Sequence, residues 1–359
     1  MKLSDEYLNQ LKKLADSDTN RYGKWQRLST QLGGKPETIR MQYTNHFADV
    51  NKMVPPAEAA PVTQEGTIIA QLNSMGFEIV ADGDKLTLVR NAAIQPGGHR
   101  VINVDKLEAK KYRFMLVSDT HLASKWERLD VLQTAYDDAH KQGIADVYHT
   151  GNVVDGQGTY NQFEVKVTGA TAQTDYAIKN YPARDGITTY YLSTNCHTGR
   201  YWRELGVDYG RFLEAAMLQA GRKDFVHLGF QQADVELKGD GGHSIMRLIH
   251  PAGGCAYSLS YKPQKIVESF TSGTKPNLLL LGHWHVSGYF EQRNVHCFLA
   301  GCMQDQSSYM QRKHLQPHIG YWVIEVMMTS KGIVTGVKSE WKSFYDKEFY
   351  VTHSLYVGG

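Results

Sequence analysis

Short clusters of histidine, aspartate and asparagine recur between residues 119 and 285, and most of them come just after a short run typical of a strand. Their order is Asp-x-His, Gly-Asn-x-x-Asp, Asn-x-His, a single His and Gly-His-x-His, at Asp119 to His121, Gly151 to Asp155, Asn195 to His197, His250 and Gly282 to His285. Imidazole, carboxylate and amide groups suit divalent transition metals. One such match is common by chance, but five in a row indicate a site built from several loops.

The apolar runs before these clusters predict buried strands that alternate with helices. A helix is predicted over residues 127–142, where apolar side chains share one face, and Gly143 ends it. Strands are predicted at residues 114–117, 146–149, 188–192, 225–228, 244–249, 278–281 and 295–299. Loops at the carboxyl ends of strands are where α/β sheets place their sites. The pattern therefore predicts a layered α/β architecture whose loops carry the clusters.

In this order, the clusters resemble the calcineurin-like metallophosphoesterases over roughly residues 112 to 325. The resemblance implies a layered β-sandwich flanked by helices and a hydrolase that breaks phosphoric esters with two divalent metal ions. Manganese is the expected metal, and iron, nickel and zinc suit the same ligands. The resemblance also implies that Asp119, His121 and His285 hold the first metal, while His250 and His283 hold the second.

Position 152 departs from the pattern of that family. The family has an aspartate there that bridges both metals, whereas Asn152 offers a neutral amide with one good acceptor oxygen. Asn152 is therefore expected to bridge more weakly and to loosen at least one metal. Asp155 is a further candidate catalytic residue, although the family usually places that position behind the ligands. A natural variant, a degenerate homologue and an engineered inactive form all remain open.

The segment Thr194-Asn195-Cys196-His197-Thr198 departs from the family's Gly-Asn-His-(Asp/Glu) box and aligns in two ways. In one alignment Asn195 is a ligand of the second metal, and Cys196 replaces the acid histidine. In the other, Cys196 is the ligand and His197 protonates the leaving oxygen, a role that suits a side chain titrating near neutrality. We favour His197 as the acid and keep Asn195 and Cys196 as candidate ligands. Cys196 also fits a small residue at a strand end without chemistry.

Residues 186–190, 260–269 and 300–306 are similar to a group of bacteriophage-encoded phosphoesterases. Some members of that group also carry asparagine at the bridging position, which favours natural variation at Asn152. Such a protein is expected in the host cytoplasm. Residues 261–269 equally fit an amphipathic helix with a structural role.

Composition and charge set broad limits on the class of protein. A length of 359 residues favours two domains, and an apolar fraction of 42% is ordinary for a globular chain. The formal charge of +2 argues neither for nor against a polyanionic partner. The cysteines have no paired spacing, which is typical of a reducing compartment. No secretory signal is visible at the start, and no apolar run approaches the roughly 20 residues that span a membrane, so we expect a cytoplasmic protein without a membrane partner.

The first 53 residues have the outline of three short helices. Leucines recur at a spacing of three over residues 8–14, Trp25 begins a second apolar face, and Pro36 stands where a third helix opens. A Gly-Gly pair before that helix completes the outline of a helix-turn-helix. Nine basic residues against six acidic ones favour duplex DNA as a partner, and a helical domain for protein contacts is the alternative. The candidate DNA contacts are Lys24, Arg27, Arg40, Gln42, Tyr43 and Asn45.

A proline-rich stretch at residues 54–61 predicts an extended linker and divides the chain. We expect a DNA-binding or partner-docking domain at 1–53 and a metallophosphoesterase domain at 111–359. Residues 54–110 form the linker and a small β-rich segment, with two strands around an Asp-Gly turn at 80–89. The predicted function is a DNA-directed phosphodiesterase or nuclease. The alternatives are a phosphatase or nucleotide phosphodiesterase with a docking domain, and a DNA-binding protein that has lost catalysis through Asn152.

Overall fold

The computed structural model describes most of the chain beyond residue 98 and several shorter stretches before it. The described residues are 5–17, 24–32, 35–39, 77–82, 85–90, 98–158, 161, 163–201, 205, 208–271 and 273–352. The chain forms two compact units, Met1–Ile69 and Ala70–Gly359. The domain boundaries expected from the sequence, at 53 and 110, stay predictions.

The first unit is helical where it is described. It contains α1 (Asp5–Ser17) and α2 (Lys24–Leu32), and residues 36–39 are helical as well. Its small core consists of Leu11, Ala15, Leu28 and Ile39. Trp25 packs against this core, as its spacing predicts. The positions predicted for the third helix from Arg40 to Asn45 lie outside the described residues.

The second unit is a mixed α/β body, which confirms the fold class predicted from the sequence. Its described strands are β1 (Phe77–Asp82), β2 (Lys85–Arg90), β3 (Gly98–Asn103), β4 (Lys111–Val117), β5 (Asp146–His149), β6 (Thr188–Ser193), β7 (Phe225–Phe230), β8 (Gln232–Gly239), β9 (Gly242–Ile249), β10 (Leu278–Leu281), β11 (Ser287–Gln292), β12 (Val295–Ala300), β13 (Ile319–Met328) and β14 (Val334–Phe344). Its described helices are α3 (Leu129–Lys141), α4 (Ala170–Asn180), α5 (Tyr209–Gln219), α6 (Tyr261–Ser269), α7 (Ser308–Arg312) and α8 (Lys347–Thr352). No described helix is both long enough and apolar enough to cross a membrane.

Two six-stranded sheets form the centre of this body. One has the order β14-β13-β4-β5-β6-β7 and the other the order β11-β12-β10-β9-β8-β3. In the first, β4 to β7 are parallel, and in the second, β9, β10 and β12 are parallel. Because neighbouring parallel strands end at the same edge, the polar clusters that follow them are brought together within each sheet.

Alternating side chains along the strands divide the core into layers, because successive residues of a strand face opposite sides. On β4, Met115 faces the cluster that holds α3, whereas Leu116 belongs to the layer between the two sheets. On β10, Leu280 joins the layer between the sheets, and Leu279 packs with Val267 of α6. Helices therefore cover the outer faces of a β-sandwich, as expected.

The segment before residue 110 contributes to two sheets. The strands β1 and β2 pair antiparallel with each other, which confirms the predicted hairpin around the Asp-Gly turn. The strand β3 pairs parallel with β8 and forms one edge of a six-stranded sheet. Part of this segment is therefore built into the body that carries the clusters.

Candidate metal centre

The loops after β4, β6, β9 and β10 bring six ligand-type side chains into two groups. We call Asp119, His121 and His285 the carboxylate half, and Cys196, His250 and His283 the thiolate half. Within each half, the ligand atoms lie within 4.8 Å of one another. A third group, His121, Asp155 and His197, shares His121 with the carboxylate half. Six of the predicted metal residues therefore meet at one place.

Several of these residues hold a backbone conformation that is unusual for residues other than glycine. The left-handed φ angles are 48° at Asp119, 45° at His121, 56° at Asn152, 80° at His283 and 56° at His285. Each such residue costs on the order of 1–3 kcal/mol and persists only where its surroundings determine it. Here the loops after β4 and β5 hold each other, since the amides of Asp119 and His121 donate to the carbonyls of Gly151 and Asn152, at 3.0 Å each.

Asp119 is the centre of the carboxylate half. Its Oδ1 lies 3.5 Å from His121 Nε2 and 3.3 Å from His285 Nε2, and these two nitrogens are 3.2 Å apart. Its Oδ2 accepts a hydrogen bond of 2.8 Å from the backbone N–H of His283. Burial raises the pKa of the Asp119 carboxyl, but attraction to the imidazoles of His285 and His250 when these are protonated, together with hydrogen bonds from His121 and His285, outweighs burial and leaves that pKa well below its ordinary value. Asp119 is therefore an anion that contacts both halves.

His121 is oriented by the carboxylate of Asp155. His121 Nδ1 donates to Asp155 Oδ1 at 2.8 Å, and Asn161 Nδ2 donates to Asp155 Oδ2 at 2.8 Å. Burial lowers the pKa of His121, but hydrogen bonds to Asp119 and Asp155 raise it to about 9. Because Nδ1 is occupied, Nε2 faces Asp119 and His285. A carboxylate behind a histidine in this way is common at metal sites, and it places Asp155 behind His121.

The thiolate half is held by backbone carbonyls. Cys196 Sγ lies 3.2 Å from His250 Nε2. His250 Nδ1 donates to the carbonyl of Thr150 at 2.8 Å, and His283 Nε2 donates to that of Gly253 at 3.1 Å. Burial lowers the pKa of His250 to about 4 and lowers that of His283 as well, so both rings are neutral at pH 7. These contacts leave His250 Nε2 and His283 Nδ1 with the lone pairs that a metal needs.

Asn152 lies between the two halves. Its Nδ2 donates to Asp119 Oδ1 at 3.0 Å, and its Oδ1 accepts from Thr194 Oγ1 at 2.6 Å and from Cys196 Sγ at 3.2 Å. The residue is buried. Position 152 thus contacts both halves, as a bridging ligand would, but with an amide in place of a carboxylate.

The side chains of Asn195 and His197, on either side of Cys196, have different partners. A methyl group at Gly199 would fall 1.9 Å from Asn195 Oδ1, so the amide oxygen of Asn195 lies against its own turn, and the role of Asn195 as a ligand stays a prediction. His197 Nδ1 donates to the carbonyl of Asp155 at 2.9 Å. Burial and the charge of His121 lower the pKa of His197 to about 3. His197 is therefore neutral at pH 7, and its role as the acid stays a prediction.

A cleft of about 410 Å³ opens beside both halves. Its polar lining includes His121, Cys196, His197, His283 and His285. Apolar and aromatic side chains also line it, namely Trp284, Val286, Tyr309, Met310, Leu315 and Pro317. A small molecule in the cleft would reach both halves of the centre and His197.

The donor atoms of both halves fit divalent cations. His121 Nε2 and His285 Nε2 face each other beside Asp119 Oδ1, and such a contact requires a proton or a cation between the two nitrogens. Within the described part of the chain, the buried His285 Nδ1 has no hydrogen-bond partner. One carboxylate with two imidazoles suits manganese, iron and zinc, and one cysteine sulfur with two imidazoles suits zinc.

His149 supports the site but was not predicted to do so. It is fully buried, its Nδ1 accepts from the amide of Gly151 at 3.1 Å, and its Nε2 pairs with Thr120 Oγ1 at 3.0 Å. The Thr120 hydroxyl donates to the carbonyl of Val153 at 2.8 Å, so the Nε2 proton of His149 points to Thr120. His149 therefore joins the loops after β4 and β5. The available signal was a histidine at the end of a strand, directly before the Gly151–Asp155 cluster.

The candidate DNA contacts fall mostly outside the described side chains. Arg27 is exposed on α2. Lys24 begins α2, and its side chain is not among those described. Arg40, Gln42, Tyr43 and Asn45 lie outside the described residues. The expected DNA interface stays a prediction.

Comparisons with known proteins give low similarity. No protein-family model and no curated protein sequence matches the chain. One of the solved structures that match is an archaeal phosphodiesterase, with 11% sequence identity and a TM-score of 0.33. The match covers 64% of this chain and 99% of the archaeal chain. A predicted phosphoesterase from Streptococcus pneumoniae is 12% identical, covering 65% and 98%, with a TM-score of 0.29. Zinc-bound Vps29 from Entamoeba histolytica is 12% identical, covering 65% and 99%, with a TM-score of 0.30.

Proposed function

We propose that this chain is a divalent-metal-dependent phosphoesterase. The observation that carries the proposal is the pair of adjoining donor groups, both in contact with the side chain at position 152 and both open to one cleft. Two divalent cations in such a pair would polarise the phosphoryl oxygens and lower the pKa of a water molecule.

The residues of each half have separate tasks in this proposal. Asp119, His121 and His285 would hold one cation, and Cys196, His250 and His283 would hold the other. Asp155 keeps the His121 ring turned so that Nε2 faces the cation. The carbonyls of Thr150 and Gly253 do the same for His250 and His283. These contacts orient the ligands before any cation arrives, which lowers the cost of binding it.

His197 would hold the proton for the leaving oxygen. Its Nδ1 is engaged with the carbonyl of Asp155, so the transferable proton would sit on Nε2, at the cleft. Without substrate its pKa is about 3. A phosphate anion beside the ring favours the charged imidazolium and raises that pKa. Proton transfer would then depend on a bound phosphoester.

We take DNA as the first candidate substrate. The support is the excess of basic residues in residues 1–53 and the exposed Arg27 on α2. A module that binds a polymer remotely can position it at a separate reacting centre. The centre itself uses residues beyond 112, so the two tasks belong to different stretches of the chain.

The size of the cleft favours a second candidate, a small nucleotide diester. About 410 Å³ lies in the range of pockets that hold one small ligand, and a duplex is too wide to enter it. Tyr309 lines the cleft, is exposed and offers an aromatic surface to a base. In this case the helical unit would serve protein contacts.

Hydrolysis assays with added Mn²⁺ test the proposal and separate the candidates. The substrates are bis-(p-nitrophenyl) phosphate, a cyclic nucleotide, single-stranded DNA and duplex DNA. We expect turnover of the generic diester, and faster turnover of DNA than of the cyclic nucleotide if the first candidate is right. Turnover of the small diesters alone favours the second candidate. Metal-loaded protein that hydrolyses none of the four would contradict the proposal and support a chain that has lost catalysis through Asn152.

A further inference from the structure

The two halves of the centre differ in the charge and softness of their ligands. The carboxylate half has an oxygen anion from Asp119, whereas the thiolate half has two imidazoles and one sulfur. The amide of Asn152 contacts both halves and brings no charge to either. Among the three residues of the thiolate half, Cys196 alone has an ionisable thiol, and because burial raises the pKa of that thiol, a bound cation would have to displace its proton.

The contacts of Cys196 place its sulfur where a cation would meet it. Sγ lies 3.2 Å from His250 Nε2 and 3.2 Å from Asn152 Oδ1. The Nδ2 of Asn152 is engaged with Asp119, which keeps Oδ1 turned toward Cys196. Sulfur, amide oxygen and the lone pair of His250 are therefore all directed to one place, with His283 beside them.

The loops around His250 leave little room for it to move. A Cβ at Gly151, whose φ is +120°, would lie 2.6 Å from His250 Nδ1, and a Cβ at Gly282 would lie 3.1 Å from the same atom. Glycine at both positions thus allows the loops to close on the ring. The imidazole is fixed with Nε2 toward Cys196, as in a built site and not a chance surface contact.

We propose that Cys196 binds the second cation as a thiolate and makes this half selective for zinc. The thiolate supplies the negative charge that a carboxylate at position 152 would otherwise supply. Soft sulfur ligands favour zinc over manganese, whereas the carboxylate half, which has no sulfur, accepts the harder ion. The inference rests on the two-cation centre of the proposed function and not on its reaction.

Cobalt titration of the full chain tests this inference. The chain is stripped with a chelator under reducing conditions and titrated with Co²⁺, which absorbs in the near ultraviolet through sulfur-to-metal charge transfer when a thiolate binds it. We expect a charge-transfer band equivalent to one thiolate-bound cobalt per chain. One equivalent of Zn²⁺ should remove it, and an equal amount of Mn²⁺ should not. Cobalt binding without this band, or removal of the band by Mn²⁺ as readily as by Zn²⁺, overturns the inference.

Two cysteine variants identify the sulfur. Cys196→Ser should lose the band and bind Zn²⁺ in this half about 100-fold or more weakly, since it removes a direct ligand. Cys255→Ser is the matched control, because Cys255 lines the same cleft outside both halves, and it should keep the band. Circular dichroism confirms that each variant folds. If the band survives in Cys196→Ser, another residue supplies the sulfur ligand and the inference is wrong. If Cys196→Ser does not fold, the cobalt spectrum of the wild-type chain alone decides the inference.

The inference and the proposed function fail in different ways. A cobalt–thiolate band in a chain that hydrolyses no phosphodiester removes the proposed function and leaves the zinc site. Turnover supported by two Mn²⁺ ions, with no band on cobalt binding, leaves the function and removes the thiolate ligand.

Discussion

The carboxylate half and the thiolate half lie side by side but are supported in different ways. In the carboxylate half Asp119 is fully buried and His121 is backed by the charged Asp155. In the thiolate half the rings of His250 and His283 are backed by neutral carbonyls, and Cys196 is exposed to the cleft. This difference in ligands and in their support is the reason to expect different ions in the two halves. We expect Mn²⁺ to fill the carboxylate half first and Zn²⁺ the thiolate half first.

The largest effect is expected where one residue serves both halves. Asp119→Asn should lower turnover of bis-(p-nitrophenyl) phosphate by about 10³-fold, because it removes the anion of one half and leaves one acceptor oxygen where Asp119 has a second one for the His283 amide. His250→Ala, which changes the thiolate half alone, should lower turnover by about 100-fold. The exposed Asp240→Asn is the control and should leave turnover unchanged. Equal losses in the first two variants would contradict the central place of Asp119.

His149 supports the loops of the carboxylate half and predicts how stability depends on pH. Burial lowers its pKa to about 3, below the ordinary value of 6.5. The unfolded chain therefore binds a proton more readily, so this contribution to stability is full above pH 6.5 and is lost as the pH falls toward 3. At pH 5 the loss is about 2 kcal/mol. Urea denaturation at pH 6.5 and pH 5 should show a smaller decrease in His149→Asn than in the wild type.

The exposed His140 on α3 provides the control for that experiment. His140→Asn should keep the full decrease in stability between pH 6.5 and pH 5. If His149→Asn shows the wild-type decrease as well, His149 is not held neutral in the folded chain.

Asn152→Asp sharpens the comparison by adding charge between the halves. A carboxylate there should bind the weaker cation about tenfold more tightly and raise turnover of the generic diester. In a Cys196→Ser background the same change should recover part of the lost Zn²⁺ affinity, because the carboxylate replaces the charge of the thiolate. Calorimetric titration with Zn²⁺ measures both effects. Equal or lower activity in Asn152→Asp would show that the site is adapted to the amide.

The smallest effect is expected from the helical unit, which contributes no residue to either half. Combined Lys24→Ala and Arg27→Ala should weaken duplex DNA binding and reduce its salt slope by about 1 for each phosphate that the variant no longer neutralises. Turnover of bis-(p-nitrophenyl) phosphate should stay the same. The exposed Lys238→Ala in the second unit is the control. Unchanged DNA binding in the double variant moves the nucleotide-diester candidate ahead.

The strands that carry the site were easier to predict than those around it. The bounds of β5 and β10 agree with the prediction, because each is a short apolar run that ends at a polar cluster. β13 was missed because no cluster of candidate site residues follows it. β8 was also missed, although its burial alternates in the period of a strand. The sequence pattern therefore predicts a strand best where a cluster of candidate site residues directly follows that strand.

The sequence also predicted which loops meet, but not how neighbouring side chains divide the tasks. The contact of Asn195 with Gly199 and that of Cys196 with His250 both depend on the turn after β6. The support from His149 depends on partners for both ring nitrogens, in the loops after β4 and β5. Such contacts depend on backbone angles and on residues that are distant in sequence. The spacing of residue types along the chain gives no information about either.

Metal content, measured together with turnover of bis-(p-nitrophenyl) phosphate, tests the account most directly. The wild-type chain should bind two divalent ions, and His285→Ala and His283→Ala should each lose one, from different halves. The double variant should lose both, each variant should lose turnover, and the exposed His140→Ala should match the wild type. A purified chain that contains no stoichiometric metal and takes up none on titration would contradict the proposal that these six residues form a metal centre.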